Sequence, residues 1–212
     1  RGSGYVRSRK PVFNKNSTSP RKEREVLEHT VCTCVFFVLL YRARCYTSIM
    51  TKTAILAGGC FWCVEHDMRH AKGVISVVAG YSGGDTSGPT YDNHNGHREA
   101  ILVEYDTTQT SYKKLLQYFI DHIDPTDSGG QFADRGGSYT SAIFCENEEE
   151  RNIAKNVIDE LNASGVYDKP ATIEILLRKP FYKAEEYHQN YAEKNPTHYG
   201  LYRLGSGRED FV

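Results

Sequence analysis

The stretch Thr53-Ala54-Ile55-Leu56-Ala57-Gly58-Gly59-Cys60-Phe61-Trp62-Cys63-Val64-Glu65 changes character at its middle. Thr53 to Ala57 is short, apolar and closed by Gly58-Gly59, the pattern of a buried strand that turns into a helix. The helix is expected from Cys60 to about Ala71, where Lys72-Gly73 closes it. Beyond it, Val74 to Tyr81 reads as a second strand and Ser82 to Gly96 as a loop rich in Gly, Ser, Asp and Asn. A loop of that length in a compact body is often functional. Arg98 to Tyr105 reads as a strand, and Ser111 to His122 puts Leu115, Leu116, Phe119 and Ile120 on one helical face.

A second Gly-rich loop, Asp124 to Ser138, precedes a strand at Tyr139 to Cys145. A charged amphipathic helix follows at Asn147 to Asn162, then a strand at Thr172 to Leu177. Ala184 to Glu193 reads as a short helix, and the tail after Pro196 as irregular. The order βαββαβαβα predicts an α+β two-layer sandwich with a ferredoxin-like core and a mixed or antiparallel sheet.

The 212 residues suffice for one domain plus an extension, and composition divides them. Residues 1–49 carry a formal charge of +7 and residues 50–212 one of −8. The acidic larger part argues against a nucleic-acid partner, whose phosphates call for clustered Lys and Arg. The apolar run Val31 to Tyr41 has 11 residues. A membrane-spanning helix needs roughly 17 to 25, so no stable membrane insertion is expected. Residues 1–49 are read as an N-terminal extension, disordered, targeting or non-native, and 50–212 as the functional domain. Cys32, Cys34 and Cys45 belong to the extension. Cys60, Cys63 and Cys145 are too few for a disulfide framework in the main body and fit a reducing compartment. The expected location is cytoplasmic, or organellar if the extension is a native targeting segment.

Cys60 and Cys63 straddle the start of the first helix. A free thiol with a pKa near 8.5 is only about 3% ionised at neutral pH, and the positive end of a helix dipole lowers that pKa. Cys60 is therefore the candidate nucleophile, and the i, i+3 spacing allows a disulfide with Cys63. Other readings compete. Two structural thiols would look similar, although the chain's single Trp and a Phe between them argue otherwise. Cys60, Cys63, His66 and His70 spell a zinc-like pattern. On one helix its ends would lie about 15 Å apart, whereas zinc needs all ligand atoms within about 2.0 to 2.3 Å. A thioredoxin-like CxxC protein also places the motif after a strand, and CxxC alone does not decide between them.

The later motifs do. Gly58 to Glu65, Gly80-Tyr81-Ser82-Gly83-Gly84, Pro89-Thr90-Tyr91, Gly96-His97-Arg98-Glu99-Ala100, Asp124-Pro125-Thr126, Asp134-Arg135-Gly136-Gly137-Ser138-Tyr139 with Ser141-Ala142-Ile143-Phe144, and Ala184-Glu185-Glu186-Tyr187-His188-Gln189 stand in one order. From about Thr53 to Asn195 the chain thereby resembles peptide methionine sulfoxide reductases of the A type.

The resemblance implies a thiol-dependent reductase of methionine S-sulfoxide, free or in proteins, that repairs oxidised proteins without a metal or organic cofactor. Sulfoxide reduction needs a thiolate on sulfur and an acid on oxygen. By the resemblance Cys60 supplies the first and Glu99 the second, and the carboxyl must be kept protonated by burial. Tyr91 and Tyr139 match tyrosines that bind the sulfoxide oxygen, and Asp134 matches an Asp of the same cluster. Phe61 and Trp62 are expected to wall the methyl site, with Tyr187 and His188 nearby in support.

The sequence departs from many relatives in having no Cys after Cys145, while Cys63 stands where Gly is common. Cys63 is then expected to resolve a Cys60 sulfenic acid into a Cys60–Cys63 disulfide, which thioredoxin reduces. Cys145 reads as a structural thiol and the protein as a monomer. The loop from Tyr91 to Glu99 is shorter than in many relatives. Gly83-Gly84 and Gly129-Gly130 lack phosphate-loop signatures and read as turns. Two rivals stand beside the reductase: a redox-inert module that recognises methionine-containing segments, and a general disulfide exchanger.

Overall fold

The computed structural model describes residues 50–212, so the apolar run Val31 to Tyr41 and Cys32, Cys34 and Cys45 lie outside the described residues. From Thr51 the chain forms β1 (Thr51–Ala57), α1 (Phe61–Met68), β2 (Val74–Ser82), β3 (Arg98–Asp106) and α2 (Tyr112–Asp121). A small hairpin, β4 (Gly130–Gln131) and β5 (Asp134–Arg135), and a 3-10 turn lead to β6 (Ala142–Cys145) and α3 (Glu148–Ala163). The remainder holds β7 (Glu174–Leu177), β8 (Tyr182–Lys183), α4 (Tyr191–Lys194) and α5 (Pro196–Ser206).

The main sheet has the order β7-β6-β1-β3-β2-β8, antiparallel throughout except for the parallel pair β6 and β7. Its middle, β6-β1-β3-β2, is two split βαβ units laid into one another, the ferredoxin-like core expected from the element order. Alternation along the strands sorts their residues between two faces. On the helix-covered face lie Ala54 and Leu56 of β1, Ile101 and Val103 of β3, and Ile143 of β6. The opposite face carries Ile55, Ala57, Ala100, Ala142 and Phe144, partly covered by Phe181. Pairing Ile55 with Leu102 and Leu56 with Ile101 keeps the two sets apart. A slip of one residue would exchange them.

Helix α2 buries Leu115, Leu116, Phe119 and Ile120 against the sheet, and each such burial contributes about 1.5–3 kcal/mol. Ser111 caps its start by accepting a hydrogen bond from the Lys114 amide. Asn147 and Glu150 close the start of α3 from both sides: Asn147 accepts from the Glu150 amide, and the Glu150 carboxylate from the amide of Glu146. Among the described residues no helix is long and apolar enough to cross a membrane.

Two expectations fail near the C-terminus. Ala184 to Glu193 is not one helix but a 3-10 turn (Glu186–His188), a left-handed residue at Asn190 (φ 54°) and the short α4. Tertiary bonds override the helical pattern there. The Gln189 amide group bonds both backbone groups of Ala79 and the carbonyl of Ala184, and the Asn190 amide donates to the buried Glu65 carboxylate. The tail expected to be irregular forms α5, with Pro196 in its first turn and Gly207 in left-handed geometry (φ 81°) just past its end. Other boundaries move less. The first helix stops at Met68 rather than Ala71, and the strand expected from Tyr139 begins at Ala142 after the 3-10 turn Gly137–Tyr139.

Candidate active site

The turn between β1 and α1 has no room for side chains. A Cβ on Gly59, whose φ is +85°, would come within 2.5 Å of the Gln131 side chain, and one on Gly58 within 2.8 Å of Ile123 and Phe119. Gln131 is fixed in turn by the Asp124 backbone and the Ser141 hydroxyl. The tight turn sets Cys60 at the N-cap of α1, where no side chain of the helix itself caps the free amides. A distant carboxylate takes that place: the Phe61 amide donates to Glu99 Oε2 at 2.9 Å. Glu99 shares the strand parity of Ile101 and Val103, so it points from β3 toward the helices rather than to solvent. It is 2% exposed.

Cys60 and Glu99 open onto one cavity of about 60 Å³, room for a few heavy atoms. Phe61 and Trp62 form its apolar wall, while Tyr91, Asp134, Tyr139 and Tyr202 complete the polar side. The Tyr202 hydroxyl donates to Asp134 Oδ2. Trp62 is clamped by the face of Tyr191, with ring centroids 3.8 Å apart, and donates from Nε1 to His188 Nδ1 at 3.0 Å.

Burial is the main influence on every titrating group of the cavity, and it pushes the Glu99 carboxyl up to about 8. The charges of Asp134 and Cys63 add to the effect, against the Phe61 amide and the Tyr139 hydroxyl that bond the carboxylate. Glu99 is thus mostly protonated at neutral pH. Burial likewise raises Asp134 and the phenols of Tyr91, Tyr139 and Tyr202, so these tyrosines stay neutral hydroxyls at physiological pH. It also pushes the Cys60 thiol well up, which reverses the activation expected from the helix start. The dipole of an eight-residue helix whose first amide is already taken by Glu99 does not offset the loss of water around the sulfur.

The structure thus gathers Cys60, Phe61, Trp62, Tyr91, Glu99, Asp134 and Tyr139 around one space. Cys63 is buried outside the cavity lining, packed with Cys60 and Tyr199 of α5. His188 also stands outside the lining as a buried support of Phe61 and Trp62. Tyr187 packs at a tilt against His188 but is 58% exposed and does not line this cavity. Cys145 is buried beside the Tyr112 hydroxyl, away from the cavity. The sequence reading missed Tyr202 and Tyr199, because it left their segment irregular. The Pro196 and Gly207 brackets mark that helix, and the spacing Tyr199, Tyr202, Arg203 lays three functional side chains on one of its faces. Among the described residues no group of three or more His, Cys, Asp or Glu side chains is placed to hold a metal ion.

Similarity to known proteins identifies the family. The family model described as "Peptide methionine sulfoxide reductase" matches residues 52–212. The chain is 47% identical over 165 residues to "Peptide methionine sulfoxide reductase MsrA" of Bacillus velezensis, covering 76% of this chain and 93% of the relative. The protein of the same name from Bacillus subtilis is 46% identical over the same shares of the chain and the relative. Among solved structures, methionine sulfoxide reductase A of Corynebacterium diphtheriae matches with a TM-score of 0.60 and 32% identity, over 69% of this chain and 76% of that one. Reduced Mxr1 from Saccharomyces cerevisiae matches with a TM-score of 0.64 and 28% identity, over 72% and 90%. The chain belongs to the peptide methionine sulfoxide reductase family.

Proposed function

We propose that residues 50–212 form a reductase domain in which Cys60 and Glu99 together reduce methionine S-sulfoxide, free or within proteins, and that Cys63 resolves the product on Cys60. One observation carries the reading: the Glu99 carboxyl, pushed up to about 8 by burial, opens onto the same cavity as a thiol at the N-cap of α1. The substrate methyl group lies against Phe61 and Trp62, and its oxygen faces Glu99, Tyr91 and Tyr139. An apolar wall facing polar donors holds a sulfoxide in one hand, so a single epimer reacts.

The Cys60 sulfur attacks the substrate sulfur while Glu99 gives its proton to the oxygen. The oxygen passes to Cys60. Thioether and Cys60 sulfenic acid result, and the thiol proton of Cys60 restores Glu99. Cys63 then attacks the sulfenic sulfur: the S–O bond breaks, the Cys60–Cys63 bond forms, and the oxygen leaves as water. Thioredoxin, or another dithiol, returns both thiols. All electrons come from thiols, so the cycle needs no metal or organic cofactor.

Turnover of the two methionine sulfoxide epimers with thioredoxin as reductant tests this reading. Activity on the S epimer alone is expected. Equal use of both, or reduction of protein disulfides in preference to sulfoxide, would overturn it.

A further inference from the structure

Arg208 is among the most deeply buried large side chains, at 2% exposure, although it follows the last helix by two residues. Its Nη2 donates to the His122 carbonyl at 2.7 Å and its Nη1 to the carbonyl of Gly58 at 3.4 Å. The Nε lies 3.4 Å from Asp67 Oδ2, and neither of those two atoms has a hydrogen-bond partner. Asp67 sits four residues after Cys63, hence on the same face of α1. One guanidinium therefore reaches both ends of the Gly58–Asp67 segment that carries both thiols. Arg203 adds a second cation: its Nη1 bonds Asp67 Oδ1 at 2.7 Å and the Tyr199 hydroxyl at 2.9 Å, and Tyr199 packs on Cys63. Two guanidiniums thus face the buried Asp67 carboxylate, and Arg203 also pairs through Nε with the exposed Glu209 carboxylate at 2.5 Å. A buried cation without a full partner is costly to keep.

We propose that Arg208, assisted by Arg203, is a positioning residue for disulfide formation: it clamps the turn and helix that hold the two thiols and sets a buried guanidinium on the face of α1 that carries Cys63. This rests on the reading of Cys63 as the resolving thiol. Cys60 is the reaction partner of Cys63, the carboxyl groups nearby are Asp67, the largely protonated Glu99 and, across Arg203, Glu209, and burial keeps the phenols of Tyr199 and Tyr202 neutral. In keeping with this, the Cys63 thiol is held below its ordinary value, first by a hydrogen bond with Cys60 and then, against burial, by the charges of Arg208 and Arg203. In the step served, the Cys63 thiolate attacks Cys60–S–OH, the S–S bond forms, and hydroxide leaves to be protonated to water.

The test is a single turnover of fully reduced protein with one equivalent of methionine S-sulfoxide, quenched over a range of pH and mapped by mass for the Cys60–Cys63 disulfide. Arg208→Gln is expected to slow disulfide formation about tenfold at neutral pH and to move its pH midpoint up by about one unit. Arg208→Lys should restore the midpoint, because it returns the charge without the fork. If Arg208→Gln does not fold, Arg203→Gln should show the same upward shift. Unmoved midpoints in the Gln variants, or a Lys variant shifted as far as Gln, would overturn the role of Arg208. A wild-type product lacking the Cys60–Cys63 disulfide would instead remove the reading of Cys63 itself.

Discussion

Cys60 and Cys63 leave the same turn of α1 into opposite surroundings. Cys60 looks into a cavity of hydroxyls and carboxyl groups, where Glu99 and Asp134 contribute negative charge or stay protonated and burial holds the thiol neutral. Cys63 lies under α5, where Arg203 and Arg208 face Asp67 and Arg203 also pairs with Glu209. Helix position alone would favour the thiolate at the first cysteine, but the burial of Cys60 and the hydrogen bond between the two thiols, with the charges of Arg208 and Arg203 behind it, favour the second. The two thiols accordingly suit different steps. On the proposed reading Cys60 reacts where an acid can serve the leaving oxygen, and Cys63 attacks from a thiol held below its ordinary value beside Cys60.

The largest effects separate the two thiols themselves. Cys60→Ser should abolish methionine formation, a loss of roughly three orders of magnitude or more in turnover. Cys63→Ser should still yield one methionine per chain in a single turnover, leaving a sulfenic acid on Cys60, and then fail to recycle with thioredoxin. If both variants lose the first methionine alike, the division of labour is broken.

Next comes the acid. Glu99→Gln should lower kcat/KM by about 10²- to 10⁴-fold and remove the loss of activity expected of wild type as pH rises past about 8. The same carboxyl predicts a stability trend. Its folded value near 8 lies above the ordinary value of 4.5, so between those limits the folded protein keeps a proton that the unfolded chain has released. Stability from this group is then full at low pH and falls as pH rises. On the order of 3 kcal/mol is lost by pH 7. Thermal unfolding of Glu99→Gln across that range should be flatter than that of wild type.

The smallest effects sharpen the boundary of the cavity. Tyr202→Phe removes the hydroxyl that bonds Asp134 beside Cys60 and should lower single-turnover methionine formation by about tenfold. Tyr187→Ala, at an exposed ring outside the cavity, should change the same rate less than about twofold.

The half of the site around Cys60 was legible because its signals are local or sit on regular strands. Gly58-Gly59 announces the turn, and the apolar run Ala100 to Val103 fixes the strand that carries Glu99. That Glu99 points inward follows from its parity with Ile101 and Val103, yet a lone Glu at a strand's edge gives no such sign without the family motifs. The other half depends on contacts across the whole chain. Arg208 reaches Gly58 across 150 positions, and nothing in the tail's sequence records that it folds back. Tyr202 and Arg203 are hidden for a smaller reason, since a Pro after a helical run reads as its end, whereas Pro196 stands in the first turn of α5. The region from Ala184 to Glu193 misled in the opposite sense. Its helical composition yields to Gln189 bonding β2 and to Glu65 capturing the Asn190 amide.

The most direct test of the acid beside Cys60 is a titration of the Glu99 carboxyl by NMR in the reduced protein, with Glu99→Gln to assign the signal. The account predicts a midpoint near 8, so that the proton is present when substrate arrives. A midpoint near 4.5, the ordinary value, would leave Cys60 facing a carboxylate with nothing to give and would contradict it.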